Sequence, residues 1–201
     1  MNKIGIYGGS FDPIHWGHIQ LALQAKRELH LDKVIFMPAK YQPFKMDMKV
    51  TSEEHRVNML IQALQGKKGL EISYAELEID EISYTINTLR RIRTFFNSDT
   101  EFFFILGTDS FLNIEFWYKS KELLRDFSFA IGSRPGYKED QLKCCIDRIR
   151  AVYNTNIILL NNEELPISST DIKTRVKMGK SIKDLVPEVV ERYIHENGLY
   201  K

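Results

Sequence analysis

Short apolar runs recur along this chain, separated by enough helix-forming sequence to return each one to the same end of a sheet, and this alternation limits the fold more than any other feature. Ile4, Ile6 and Tyr7 make the first run. Residues 34–37, 102–106, 127–131 and 157–160 make four more, each stopped by glycine, proline or asparagine. Brief runs of this kind read as buried strands. Residues 70–79, with Ile72, Tyr74, Leu77 and Ile79, alternate imperfectly and read as a further strand.

Helical spacing fills the intervals. Residues 16–29 carry Ile19, Leu21, Ala22, Ala25 and Leu29; residues 51–64 open on a Thr51/Glu54 capping box and turn Val57, Leu60, Ile61 and Leu64 inward. More helices are expected from about Ser83, over 138–152 as an exposed helix, and from Pro187 as first helical residue to Asn197, with Gly198 beyond the end. No repeat or linker interrupts the pattern, which is that of an α/β doubly wound parallel sheet flanked by helices. At 201 residues and 43% hydrophobic composition, one core is expected. The expectation is therefore a single domain over 1–201, with a small C-terminal helical section, about 167–201, packed on it.

The first strand-to-helix transition carries the chemistry. Gly8 and Gly9 let the backbone turn and approach a ligand where a Cβ would clash, and Pro13, preceded by Asp12, fits the first position of a helix. His15 and His18 then stand on one face of its first turns. The N–H groups and dipole of a helix start favour an anion, and two imidazoles add hydrogen bonds to the same phosphate chain. A capped helix start with two surface histidines would present the same pair without needing the glycines. A zinc site is a weak reading, because histidines that hold zinc from a helix usually stand four apart with a third ligand.

Other candidates follow the remaining transitions. Residues 38–50 form a loop after a strand's carboxyl end, the edge where open α/β sheets bind ligands, so Lys45 can reach a phosphate. Ser83, Thr85 and Asn87 each suit the cap of the next helix, and the backbone N–H of Thr85 also suits a carboxylate or phosphate. Asp109 leaves a central strand beside Gly107, well placed for ribose hydroxyls or magnesium, or as a plain cap. Phe116, Trp117 and Tyr118 exceed what one amphipathic face can bury, which offers a ring for stacking. Ser168, Ser169 and Thr170 begin a helix with Lys173 and Arg175 in its first turns, a second phosphate clamp. His30, His55 and His195 read as surface or cap residues.

A net charge of +1 argues against a standing affinity for nucleic acid or anionic membrane and favours small-molecule substrates. Cys144 and Cys145 are adjacent, a strained geometry for a disulfide, so a reduced, cytoplasmic protein is expected. No signal peptide opens the chain and no apolar run approaches ~18 residues, the expectation for a soluble protein. Homo-oligomerisation is left open.

The run Gly9-Ser10-Phe11-Asp12-Pro13-Ile14-His15-Trp16-Gly17-His18 resembles the (H/T)xGH signature of the nucleotidyltransferase superfamily, whose members attack the α-phosphate of a nucleoside triphosphate. Further segments extend the resemblance nearly end to end: Pro43-Phe44-Lys45, Ser83-Tyr84-Thr85-Ile86-Asn87-Thr88-Leu89, Gly107-Thr108-Asp109-Ser110, Trp117, Arg134-Pro135-Gly136, Ile167-Ser168-Ser169-Thr170, and Val186-Pro187-Glu188 through Gly198-Leu199-Tyr200. With these the chain is similar to the bacterial nicotinate-nucleotide adenylyltransferase family. The Ser-Tyr-Thr, Arg-Pro-Gly and C-terminal segments separate it from the shorter phosphopantetheine adenylyltransferases. It departs from the family at Phe44, where histidine is common, at Asn87, where Asp is frequent, and at Lys173, where Arg is usual. The first departure leaves any catalytic duty of that loop on Lys45.

The resemblance implies a Rossmann-like fold and adenylyl transfer from ATP to nicotinate mononucleotide, giving nicotinate adenine dinucleotide and pyrophosphate, a step of NAD biosynthesis. Mg2+ would travel with ATP, and Asp109 is the one side chain singled out for a metal. Catalytic roles fall to His15, His18 and Lys45. ATP contacts fall to Gly8, Gly9, Ser10, Phe11, His15, His18, Gly107, Asp109, Ser168, Ser169, Thr170, Lys173 and Arg175. Mononucleotide contacts fall to Ser10, Lys45, Thr85, Trp117, Tyr118 and Arg134. The alternatives are an adenylyltransferase for nicotinamide mononucleotide or phosphopantetheine, and a nucleotide-binding module without turnover, against which the intact histidine pair weighs.

Overall fold

A computed structural model describes residues 2–40, 50–78, 82–132, 138–161 and 167–201. Within them the apolar runs form parallel strands β1 (Lys3–Gly9), β2 (Lys33–Pro38), β3 (Leu70–Ile72), β4 (Glu101–Gly107), β5 (Ser128–Gly132) and β6 (Ile157–Leu160). Their order across the sheet is β3-β2-β1-β4-β5-β6. β1 pairs with β2 from Ile4↔Lys33 to Gly9↔Pro38 and with β4 from Lys3↔Glu101 to Ile6↔Phe104. The chain thus winds outward from β1 to β3, returns to the middle, and winds the other way from β4 to β6. That reversal opens a crevice at the carboxyl ends of β1 and β4.

The helices are α1 (Trp16–Glu28), α2 (Glu53–Leu64), α3 (Thr85–Arg93), α4 (Thr108–Leu112), α5 (Ser120–Asp126), α6 (Glu139–Tyr153), α7 (Ser169–Lys177) and α8 (Glu188–Glu196). α1, α2, α7 and α8 pack one face of the sheet, burying Ala22, Leu60, Ile172 and Val190 with Val34 and Phe103. α3 to α6 pack the other, burying Leu89, Phe111, Leu123 and Ile146 with Ile6 and Phe129. Each such aliphatic or aromatic side chain contributes about 1.5–3 kcal/mol on full burial. The fold is the doubly wound, Rossmann-like sheet that the alternation predicts. Among the described residues no helix is long and apolar enough to cross a membrane.

Several local expectations need correction. The strand expected over 70–79 stops at Ile72; Ser73 still donates to the Phe36 carbonyl at 2.9 Å, but the chain then closes a turn in which the Leu77 N–H donates to the Tyr74 carbonyl. α2 is capped by Ser52, whose hydroxyl accepts from the His55 N–H, rather than by Thr51, and Ile61 faces out at 44% exposure. The inward positions of α2 are Arg56, Met59, Leu60, Ala63 and Leu64. α6 is amphipathic rather than exposed, with Leu142, Cys145, Ile146 and Ile149 buried. Pro187 is the N-cap of α8 and not its first helical residue, while Gly198 takes the left-handed conformation expected after the helix (φ 59°). α8 docks on α2 through the Tyr193 hydroxyl, which meets His55 Nδ1 at 3.0 Å and accepts from Asn58 Nδ2 at 3.2 Å.

Candidate active site

The crevice between β1 and β4 is a cavity of about 1060 Å³. Its walls bring together most of the residues singled out from the sequence: Gly8, Gly9, Ser10 and Phe11 from the end of β1, His15 and His18 from α1, Thr85 from α3, Gly107 and Asp109 after β4, Trp117 and Tyr118, and Ser168, Ser169 and Thr170 at the start of α7. Lys45 and Arg134 lie outside the described residues. Lys173 and Arg175 are on α7 but not on the cavity wall.

The histidine pair is built by the helix start. α1 begins at Trp16, not at Pro13, and His15 is its N-cap, with extended backbone (φ −147°, ψ 170°). The His15 carbonyl accepts from the N–H groups of His18 (3.0 Å) and Ile19 (3.2 Å), and its Nδ1 accepts from the His18 N–H at 3.3 Å. An acceptor at Nδ1 puts the ring proton of a neutral His15 on Nε2. The two imidazoles stack with centroids 3.6 Å apart. A Cβ on Gly17 between them would lie 3.1 Å from the His15 ring, closer than ordinary contact, so a larger residue there would press on the ring.

Gly8 and Gly9 belong to β1 and do not form the turn expected of them. A Cβ on Gly9 would lie 3.2 Å from the Phe11 ring, so its absence makes room for an aromatic side chain. The left-handed residue of the turn is Phe11 itself (φ 46°), buried edge-on against Tyr7 at 5.6 Å and His18 at 5.2 Å. The next residue, Asp12, is 3% exposed and bonded from three directions: by Lys173 Nζ, by the Tyr200 hydroxyl at 2.7 Å and by the Thr51 N–H at 3.2 Å. Burial alone would raise the Asp12 carboxyl, but these donors outweigh it and hold the group below its ordinary value. Burial and the Asp12 charge push the Tyr200 hydroxyl the other way, so it stays a donor. The Ser169 hydroxyl donates to the Pro13 carbonyl at 3.0 Å, tying α7 to the same turn.

The far wall is aromatic and polar. Trp117 is half-buried, edge-on to Phe104 at 6.3 Å, and Tyr118 packs on Tyr84 at 4.3 Å. Phe116 points outward at 78% exposure. The N-cap of α3 is Tyr84 and not Thr85, which is the first helical residue, and the Tyr84 side chain makes no capping bond. Glu76 also lines this wall and accepts from the Thr88 hydroxyl at 2.6 Å; burial raises its carboxyl. Asp109 pairs with Lys138 at 3.1 Å, and Arg175 with Asp171 at 2.8 Å. Among the described residues no group of three or more His, Cys, Asp or Glu side chains gathers as a metal site.

Sequence reasoning missed Arg56, Asp12 as a hub, Tyr200 and Glu76. Arg56 stands four residues before Leu60 and eight before Leu64, at the edge of the stripe expected to face inward, and that spacing is its local signal; the others depend on contacts distant in sequence.

Residues 6–175 match the cytidylyltransferase-like family. A protein of Thermoanaerobacter sp. named "Probable nicotinate-nucleotide adenylyltransferase" is 40% identical over 99% of this chain and 94% of its own length. One of the same name from Clostridium botulinum is 41% identical over 100% and 99%. Among solved structures, Plasmodium falciparum nicotinic acid mononucleotide adenylyltransferase complexed with NaAD has the same fold, with a TM-score of 0.82 at 23% identity, covering 100% of this chain and 98% of that one. The chain belongs to the cytidylyltransferase-like family, within the nicotinate-nucleotide adenylyltransferases.

Proposed function

We propose that this protein transfers the adenylyl group of ATP to nicotinate mononucleotide, forming nicotinate adenine dinucleotide and pyrophosphate. The observation that carries the reading is the stacked His15/His18 pair at the start of α1, facing a cavity large enough for two nucleotides. A phosphate oxygen of the mononucleotide bonds to the α-phosphorus of ATP as the bond to the β-phosphate oxygen breaks. The nucleophile is already an anion, so no general base is needed. Catalysis consists of holding two anions in line and stabilising charge on the departing pyrophosphate.

His15 and His18 supply ring donors, the α7 start supplies N–H groups, and both helix starts supply their dipoles. Lys45, Lys173 and Arg175 supply positive charge, Lys173 after exchanging Asp12 for a phosphate. Ser10 and Arg134 serve the mononucleotide, whose ring stacks on Trp117 while its carboxylate meets N–H groups near Thr85 and Tyr118. Mg2+ enters with ATP as part of the substrate. Residues 167–201 belong to the same catalytic domain. Incubation with ATP, Mg2+ and nicotinate mononucleotide is expected to give dinucleotide and pyrophosphate in equal amounts, identified by mass. ATP consumption without dinucleotide, or no consumption, would refute the proposal.

A further inference from the structure

Arg56 is 1% exposed, the largest of the fully buried side chains, and does not line the cavity. Its Nε donates to the Thr51 carbonyl at 3.1 Å and its Nη1 to the Ser10 carbonyl at 2.8 Å. Burying a charge is costly, and an apolar side chain of similar volume would pack there at less cost. What guanidinium adds is a rigid planar fork whose donors can hold two backbone segments in fixed relation.

Those segments close a circuit. Arg56 joins Ser10 to Thr51, and the Thr51 N–H joins Asp12. The turn is therefore held to the start of α2 on both sides of Phe11. A bulky residue with positive φ persists only where its surroundings fix it, and this circuit does so. The Phe11 ring in turn rests edge-on against His18.

We propose that Arg56 is a positioning residue for the phosphate-facing turn: by tying the Ser10 carbonyl to α2 it fixes Phe11 in its left-handed conformation and, through the Phe11 ring, sets the orientation of His18. Its kinetic consequence rests on the adenylyl-transfer reading; its geometric consequence does not.

Arg56→Lys keeps a positive charge and loses the fork. In the ligand-free variant, the ring resonances of His15 and His18 are expected to move in histidine NMR spectra while those of exposed His30 and His195 stay in place. In steady state kcat should fall by about tenfold or more with both KM values within about threefold, and this loss should vanish in a His18→Ala background. Unmoved His15 and His18 signals in a folded variant, or an equal loss of kcat with and without His18, would overturn the proposal. Histidine signals that move as expected in a protein whose wild type forms no dinucleotide would support the positioning and contradict the function, so the two fail separately. If Arg56→Lys does not fold, Arg56→Met, which removes both Arg56 hydrogen bonds without burying an unpaired charge, is read by the same signals, with the same two outcomes.

Discussion

The imidazole rings of His15 and His18 lie face to face, with centroids 3.6 Å and planes 23° apart. Each ring restricts the rotamers of the other, and the His15 cap fixes the pair to the helix start. Donors held in place before charge develops need no reorganisation when it does.

His18→Ala should therefore lower turnover by about 10²–10³, the usual loss for one preorganised donor, while costing ~1 kcal/mol or less of stability at a half-buried helix position. Steady-state rates beside thermal denaturation check this. Turnover within about threefold of wild type would contradict it.

Asp12 gives a pH prediction. Its folded-state carboxyl lies below the ordinary value of 3.8, so it contributes stability that is present above that value and is lost as pH falls through the folded-state pKa. Asp12→Asn should lower the thermal midpoint at pH 7 and flatten the acid limb below pH ~4. An acid limb as steep as that of wild type would show that other carboxyls set it.

Lys173 is bonded to Asp12, which no sequence pattern suggested. Replacing it by Met leaves a buried carboxylate without its cation, a change that costs roughly 3–5 kcal/mol in a fully buried pair and less here, where Lys173 is about one-third exposed. Lys173→Met should lower the thermal midpoint, and Asp12→Asn added to it should restore part of the loss. The same variant should weaken ATP binding by calorimetry and leave mononucleotide binding nearly unchanged. Equal losses for both ligands would contradict the clamp.

Trp117 and Thr85 are expected to act differently. A stacking ring binds either pyridine mononucleotide alike, so Trp117→Ala should weaken both together. If backbone N–H groups meet the substituent, Thr85→Ala should largely keep the preference between them. Loss of preference in Thr85→Ala would move that role to its hydroxyl.

The sheet was legible because its strands are short, uninterrupted apolar runs: 34–37 became β2, and 157–160 became β6 with the same bounds. Where alternation is imperfect, over 70–79, the strand covers only Leu70–Ile72, because Tyr74 and Leu77 belong to a turn whose packing local pattern does not encode. The histidine pair and the cavity walls followed from local chemistry. The grip on the turn did not, since Arg56, Thr51, Lys173 and Tyr200 reach Ser10 and Asp12 from other elements. Pro13 looked like a helix start because proline fits one, yet the first helical residue is Trp16 and a histidine takes the cap.

Transfer to the nicotinate form of the mononucleotide is read out by the specificity constants for nicotinate and nicotinamide mononucleotide, measured by pyrophosphate release at one ATP concentration. A site of backbone donors satisfies both carboxylate oxygens, whereas an amide turns its NH₂ toward a donor and leaves a buried polar group unpaired, at roughly 1–3 kcal/mol. A preference of at least about tenfold for the nicotinate form is expected. Equal specificity constants for the two mononucleotides would contradict it.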